Sequence, residues 1–371
     1  MGASARARSF VAALILPALS GCGTVEFYWQ GFAGQLDLIT RARPLAEVIA
    51  ATPDARLRKQ LESVEAIRSY ASRELALPDN GSYTRYVDLG RPFVVWNVFA
   101  APELSLAPRQ WCFPIAGCVN YRGYFAEAGA RAEAARLAAD GDDVHLGGVP
   151  AYSTLGFFDD PVLSTFINYR EPDLARLIFH ELAHQVVYVK DDTAFNESFA
   201  VAVEEEGLKR WLAARKERPD AGAYAAYVAR GDRLRAEFRA LVRRTRDRLA
   251  ALYDSDANDA DKRAGKAAAF GQMRADYEAL KAGWDGVPAF DRWFAAGANN
   301  AGIAAAGLYA DLVPQFAALI GAEGRDLPRF YARVKALAAL PKAERDAALA
   351  AQRSAAAGVA THPLVLKSEI R

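Results

Sequence analysis

Histidine, cysteine and methionine are all scarce in this chain, with 4, 3 and 2 copies in 371 residues. Three cysteines cannot build a four-cysteine metal finger, and no second Cys/His pair stands beside Cys112 and Cys118 to complete a structural zinc site. Charge of one sign is lacking too: 46 Lys and Arg face 45 Asp and Glu. Without a stripe of basic and aromatic residues, nucleic-acid binding has no electrostatic footprint. Beyond the N-terminal segment no apolar run is long and charge-free enough to span a bilayer, and no internal repeat is present. The scarcity of histidine makes its distribution informative. Of positions 145, 180, 184 and 362, two fall in one pentapeptide, His180-Glu181-Leu182-Ala183-His184.

On a helix, positions i and i+4 share a face, so His180 and His184 can point at one metal ion. Glu181 is placed to take a proton from a metal-activated water. Glu197, in Asn196-Glu197-Ser198-Phe199-Ala200, offers a third ligand and leaves one tetrahedral position open. The flanks, Leu177-Ile178-Phe179 and Val186-Val187-Tyr188-Val189, are apolar. Burying two imidazoles and a carboxylate without a partner is costly, and a zinc ion supplies one. Glu204 shares a helix face with Glu197 and serves either as a carboxylate orienting a ligand histidine or as a solvated member of the Glu204-Glu205-Glu206 run. Asn196 is a further candidate for support of the ligands. His145 and His362 read as surface histidines, the former in a Gly/Asp-rich loop.

His180, Glu181, His184 and Glu197 together resemble the gluzincin zinc metallopeptidases, and the Asn196–Ala200 string with Glu204 is similar to the M1 aminopeptidases. Further strings resemble the bacterial lipoproteins grouped as aminopeptidases: Trp111-Cys112-Phe113-Pro114 with Gly117-Cys118, Tyr121-Arg122-Gly123-Tyr124-Phe125, Tyr152-Ser153-Thr154-Leu155-Gly156, Phe158-Asp159-Asp160-Pro161 and Asn299-Asn300-Ala301. The resemblance implies a zinc peptidase acting on peptides, with a Tyr or His donor for the oxyanion. Tyr309 is the first choice for that donor and Tyr152 the second. Two departures stand out. His184 and Glu197 are only thirteen positions apart, which demands a tight connection. The Gly-x-Met-Glu-Asn string that holds the substrate amine in M1 enzymes is absent, since the only methionines are Met1 and Met273. An exopeptidase must still bind an ammonium, and Asp159 and Asp160 are the candidates, with simple turn chemistry as their alternative reading. An endopeptidase or amidase acting on cell-envelope peptides remains open, as does a non-catalytic metal-containing binding lipoprotein.

Residues 1–21 read as a signal peptide, with Arg6 and Arg8 before an apolar Phe10–Leu19. Leu19-Ser20-Gly21-Cys22 resembles the bacterial lipobox, so Cys22 is expected to carry a lipid anchoring the chain in the periplasm. By resemblance to lipoprotein sorting rules, Gly23 rather than an aspartate after the cysteine implies the outer rather than the inner membrane. In that oxidising compartment Cys112 and Cys118 are expected to pair.

The expected fold is α+β: a zincin-like catalytic domain of small mixed sheet and metal-binding helices, with a largely helical C-terminal part. The expected division is an N-terminal helical segment over 22–82, the catalytic domain over 83–216 and a helical domain over 217–371. Helices are expected in 36–77 with a break at Thr52-Pro53-Asp54, and in Glu127–Ala139. Strands are expected in Tyr83–Leu89, Pro92–Ala100 and Val119–Phe125, with extended pieces at Ala151–Phe157 and Ser164–Tyr169. A long helical stretch over 219–284 precedes a breaker at Gly283–Pro288. Its run Arg243–Arg248 reads as a solvated helix face. The oligomeric state is left open.

Overall fold

The Thr52-Pro53-Asp54 break separates two helices as its residues require. The computed structural model describes residues 26–113, 117–307 and 312–360. Helix α1 (residues 26–41), a short strand β1 (Arg43–Pro44) and helix α2 (Leu45–Ala51) lead to α3 (Ala55–Leu75). Asp54 caps α3 by accepting from the backbone N–H groups of Arg56 and Leu57 at 2.8 and 3.2 Å, filling donors that a helix start leaves unpaired. α3 buries Leu61, Val64, Ile67, Ala71 and Leu75, a stripe at helical spacing. Arg68 is buried beside that stripe and donates to the carbonyls of Ser82, Pro78 and Asn80. A loop with inward-facing carbonyls is thereby satisfied and held against the helix.

β2 (Arg85–Val87) pairs antiparallel with β1 and parallel with β8 (Val162–Leu163), forming a small mixed sheet. β3 (Val95–Pro102) is the centre of a second sheet, between β6 (Arg122–Tyr124) and β7 (Asp142–Val149), both antiparallel to it. Helix α4 (Glu127–Ala139) covers one face, where Ala130 and Leu137 meet Trp96, Val98 and Ala100. β4 (Trp111–Phe113) and β5 (Gly117–Val119) make a hairpin in which Cys112 lies opposite Cys118 and is joined to it by a disulfide.

Helices make up the rest: α5 (Glu171–His184), α6 (Thr193–Ala213), α7 (Ala221–Tyr253), α8 (Asp259–Gly283), α9 (Asp291–Ala295), α10 (Asn300–Gly307), α11 (Val313–Ala322), α12 (Leu327–Ala338) and α13 (Lys342–Ala360). The fold class is α+β and rich in helix. Ala301 and Ala305 of α10 pack on Phe99 and Ala101, so β3 is buried on both faces. That accounts for a strand that is apolar on both faces except at the buried Asn97. Asn300 fixes α10 to the sheet, donating to the Glu103 carbonyl at 2.8 Å and accepting from the Tyr253 hydroxyl. Asn299 donates to the carbonyl of Val144. One core unites α3, α5, α6, α11, α12 and α13, while α7, α8 and α9 share another around Phe238, Tyr277 and Trp284. The arginines of the 243–248 run are exposed on α7 around a buried Thr245. Among the described residues no helix is long and apolar enough to cross a membrane.

Three local expectations are corrected. His145 lies within β7, paired with Phe99, and its buried ring sits between Phe99 and Trp293. The Asp and Gly residues around it suggested a loop, but eight residues of pairing with β3 override that composition. Gly148 is needed there, because a Cβ would fall 2.2 Å from the Phe93 ring. Residues 151–157 form no strand: Asp160 accepts from the Thr154 N–H and Thr154 bonds both ways with Phe158, closing the segment on itself. Ser164–Tyr169 is a series of turns after β8.

Candidate metal centre

Pro172 stands in the first turn of α5, where the missing N–H costs nothing. The inner face of α5 is Leu174, Ala175, Ile178, Phe179, Leu182 and Ala183. This fixes the helix's rotation and turns His180 and His184 toward α6. Gly207 lets α6 come close, since a Cβ there would lie 2.8 Å from Leu75 and Phe179. The eight-residue connection between the helices is pinned from three sides. Asn196 accepts from the Val189 N–H and donates to its carbonyl, both at 2.7 Å. Asp192 caps α6 at Phe195 and pairs with Arg345 of α13 at 2.6 Å. Asp191 accepts from the Cys118 N–H, so the disulfide hairpin abuts the connection. Gly117 allows this approach: it has φ +76°, and a Cβ would meet Asp191 at 2.4 Å.

Nε2 of His180 and Nε2 of His184 are 3.1 Å apart. Oε2 of Glu197 is 3.3 Å from the first and 3.8 Å from the second. Ligands about 2.0–2.1 Å from a tetrahedral zinc are spaced about 3.3 Å from one another, so the three donors have the spacing of a ligand set. Nδ1 of His180 lies 2.9 Å from Oε2 of Glu204. With the proton on Nδ1, the Nε2 lone pair is left to face the other donors. Arg176 donates to Glu204 at 3.2 Å and to Asp232 of α7 at 2.6 Å, holding that carboxylate in place. The donor set fits a divalent metal.

The electrostatics agree. Burial pushes the His184 imidazole down to about 4, the neutral form a ligand requires. Burial also opposes charge on His180, but bonds to Glu197 and Glu204 outweigh it and raise the ring. A positive charge is therefore favoured where the donors converge. Burial lifts Glu181 to about 7; His180 pulls the other way and Glu197 adds to the rise. A carboxyl so poised can both hold and release a proton near neutrality. A cleft of about 570 Å³ runs past His180 and Glu181, walled by Tyr169, Arg170, Asp173 and Tyr227.

The other sequence candidates are dispersed. Tyr152 donates its hydroxyl to Gln35 of α1. Asp160 is buried, its carboxylate serving the Thr154 N–H, and burial raises it to about 6. Asp159 is exposed against Gly81. Tyr309, Cys22 and His362 lie outside the described residues. Arg176, Tyr121 and Tyr83 stand outside the set of candidates that the sequence offers. Arg176 stands one helical turn before His180, a spacing that could have revealed it. Tyr121, whose phenol burial raises and whose ionisation Glu197 and Glu181 oppose, lies between β5 and β6. Tyr83, buried at φ +62° with a hydroxyl that has no partner among the described residues, is raised by burial and by Glu181.

A largely buried set of two histidine nitrogens and a glutamate oxygen, beside the Glu181 carboxyl, defines a candidate hydrolytic metal centre. Residues 26–349 match the family described as "Putative aminopeptidase", and the chain belongs to that family. No curated protein and no solved structure matches it.

Proposed function

We propose that the protein is a zinc-dependent aminopeptidase of the bacterial periplasm, tethered by a lipid on Cys22. The observation carrying this reading is the convergence of His180 Nε2, His184 Nε2 and Glu197 Oε2, with Glu181 next to the first ligand. The family supports peptide hydrolysis, and the donor chemistry supports zinc. When bound, zinc in such a set supplies Lewis acidity toward water and a peptide carbonyl. Glu181 takes the proton of the attacking water and returns it to the leaving amine. Glu204, steadied by Arg176, holds His180 in the tautomer that binds. Tyr121 is our choice of donor to the oxyanion, since burial raises its phenol and Glu197 and Glu181 both oppose its ionisation, which keeps the hydroxyl proton in place.

A second reading, endopeptidase or amidase, is favoured by one observation: Asp160 spends its carboxylate on the Thr154 N–H. The test is a set of peptides with free and N-acetylated ends. Preference for free ends supports the aminopeptidase, and equal rates transfer the assignment to the second reading. For the anchor, Cys22→Ser is expected to move the protein from the membrane pellet to the soluble fraction or to block its processing. Unchanged fractionation and mass contradict lipidation.

A further inference from the structure

Helix α1 is apolar on both its faces. The inner face is filled: Phe27 stacks on Phe113 at 5.5 Å beneath the Arg122 guanidinium, Gly34 backs onto Phe125, and Leu38 is buried in the main core. The outer face carries Tyr28, Trp29, Phe32, Leu36 and Ile39, which are 37–67% exposed. Positions 29, 32, 36 and 39 fall on one helical stripe. No charged residue stands between Glu26 and Asp37. Of the eight large exposed hydrophobics among the described residues, five are on this face, so it is a patch and not scatter.

We infer that this stripe lies in the interfacial layer of a lipid bilayer, as a second contact beside the acyl group on Cys22. The inference rests on the Cys22 reading above for its geometry. Six steps of chain separate Cys22 from Tyr28, a span of at most about 21 Å even fully extended. A lipid on Cys22 therefore keeps the stripe within reach of the headgroups. The composition suits that layer: Trp and Tyr lead the stripe, and such side chains favour the level where hydrocarbon meets water. A helix with its polar side replaced by the protein body would bury its outer face to the depth of the acyl boundary. An acyl chain alone tethers at a point; the stripe adds orientation.

The test uses the chain from residue 22 onward with Cys22→Ser, which has no acyl group and keeps every described residue. It is mixed with vesicles of phosphatidylethanolamine and phosphatidylglycerol. The chain is expected to float with the vesicles, and bromine-labelled acyl chains are expected to quench its fluorescence, an effect absent in Trp29→Phe. Phe32→Glu with Leu36→Glu is expected to weaken binding by roughly tenfold or more. Both side chains are exposed, so circular dichroism should be unchanged. Absence of flotation and of Trp29 quenching overturns the inference. Self-association of the chain that Phe32→Glu abolishes, without vesicle binding, overturns it as well and assigns the stripe to a second copy. The mass of the membrane-extracted wild-type chain reads Cys22 acylation separately, so failure of the anchor and failure of the stripe give different results.

Discussion

Nδ1 of His180 and the Glu204 carboxylate are 2.9 Å apart, and Glu204 is held in turn by Arg176. This contact converts a histidine that could point either nitrogen at a metal into one that presents Nε2. Glu204→Gln keeps the shape but weakens the acceptor, so zinc affinity should fall about 10–100-fold. A competitive chelator titration measures it. Unaltered affinity would assign Glu204 to the Arg176–Asp232 ion pairs alone.

Glu181 lies beside the three candidate ligands and is not one of them. Glu181→Gln should retain zinc and lose turnover by roughly 10²–10⁴-fold, because proton transfer in both directions fails. Steady-state kinetics with metal analysis on the same sample checks both halves. A variant active within about tenfold places the proton acceptor elsewhere.

Asp192 caps α6 and pairs with Arg345, both almost fully buried. Burial pushes its carboxyl up, but the bonds from Arg345, the Phe195 N–H and Lys342 outweigh this and set it below the ordinary value. A depressed carboxyl stabilises the fold above its unfolded value of about 3.9, and that contribution is lost as pH falls through the lower folded value. Arg345→Ala leaves the charge buried beside Lys342 only, and should cost about 3 kcal/mol. Urea unfolding near neutral pH should show the loss, and the difference from wild type should shrink at strongly acid pH.

Helices α5 and α6 were legible because their signals are local. A histidine pair at i, i+4 is written within one segment, as are the Thr52-Pro53-Asp54 break and the full span of α4. Contacts made across the chain were not legible. β7 carries Asp142-Asp143 and Gly147-Gly148, which read as turn residues until β3 pairs with them. Arg345 reaches Asp192 across 153 positions, and no periodicity announces such a partner. Tyr121 is one of 15 tyrosines, and the influence of Glu197 on it depends on how a hairpin docks. Asp160 was attractive as a substrate anchor by charge, but its local turn claims the carboxylate.

The Cys112–Cys118 bridge holds the hairpin that meets Asp191. Replacing both cysteines by serine should cost about 2 kcal/mol, as expected for so short a loop. Thermal unfolding with and without reductant checks it. Activity should decline further than stability alone explains, because the α5–α6 connection loses a support.

The central claim is that His180, His184 and Glu197 form one zinc site, and the most direct measurement is metal content by mass spectrometry of the purified protein. Wild type should hold one zinc per chain, and the double variant His180→Ala, His184→Ala should hold none while keeping its helical circular dichroism. Full zinc occupancy in that folded double variant would contradict the account.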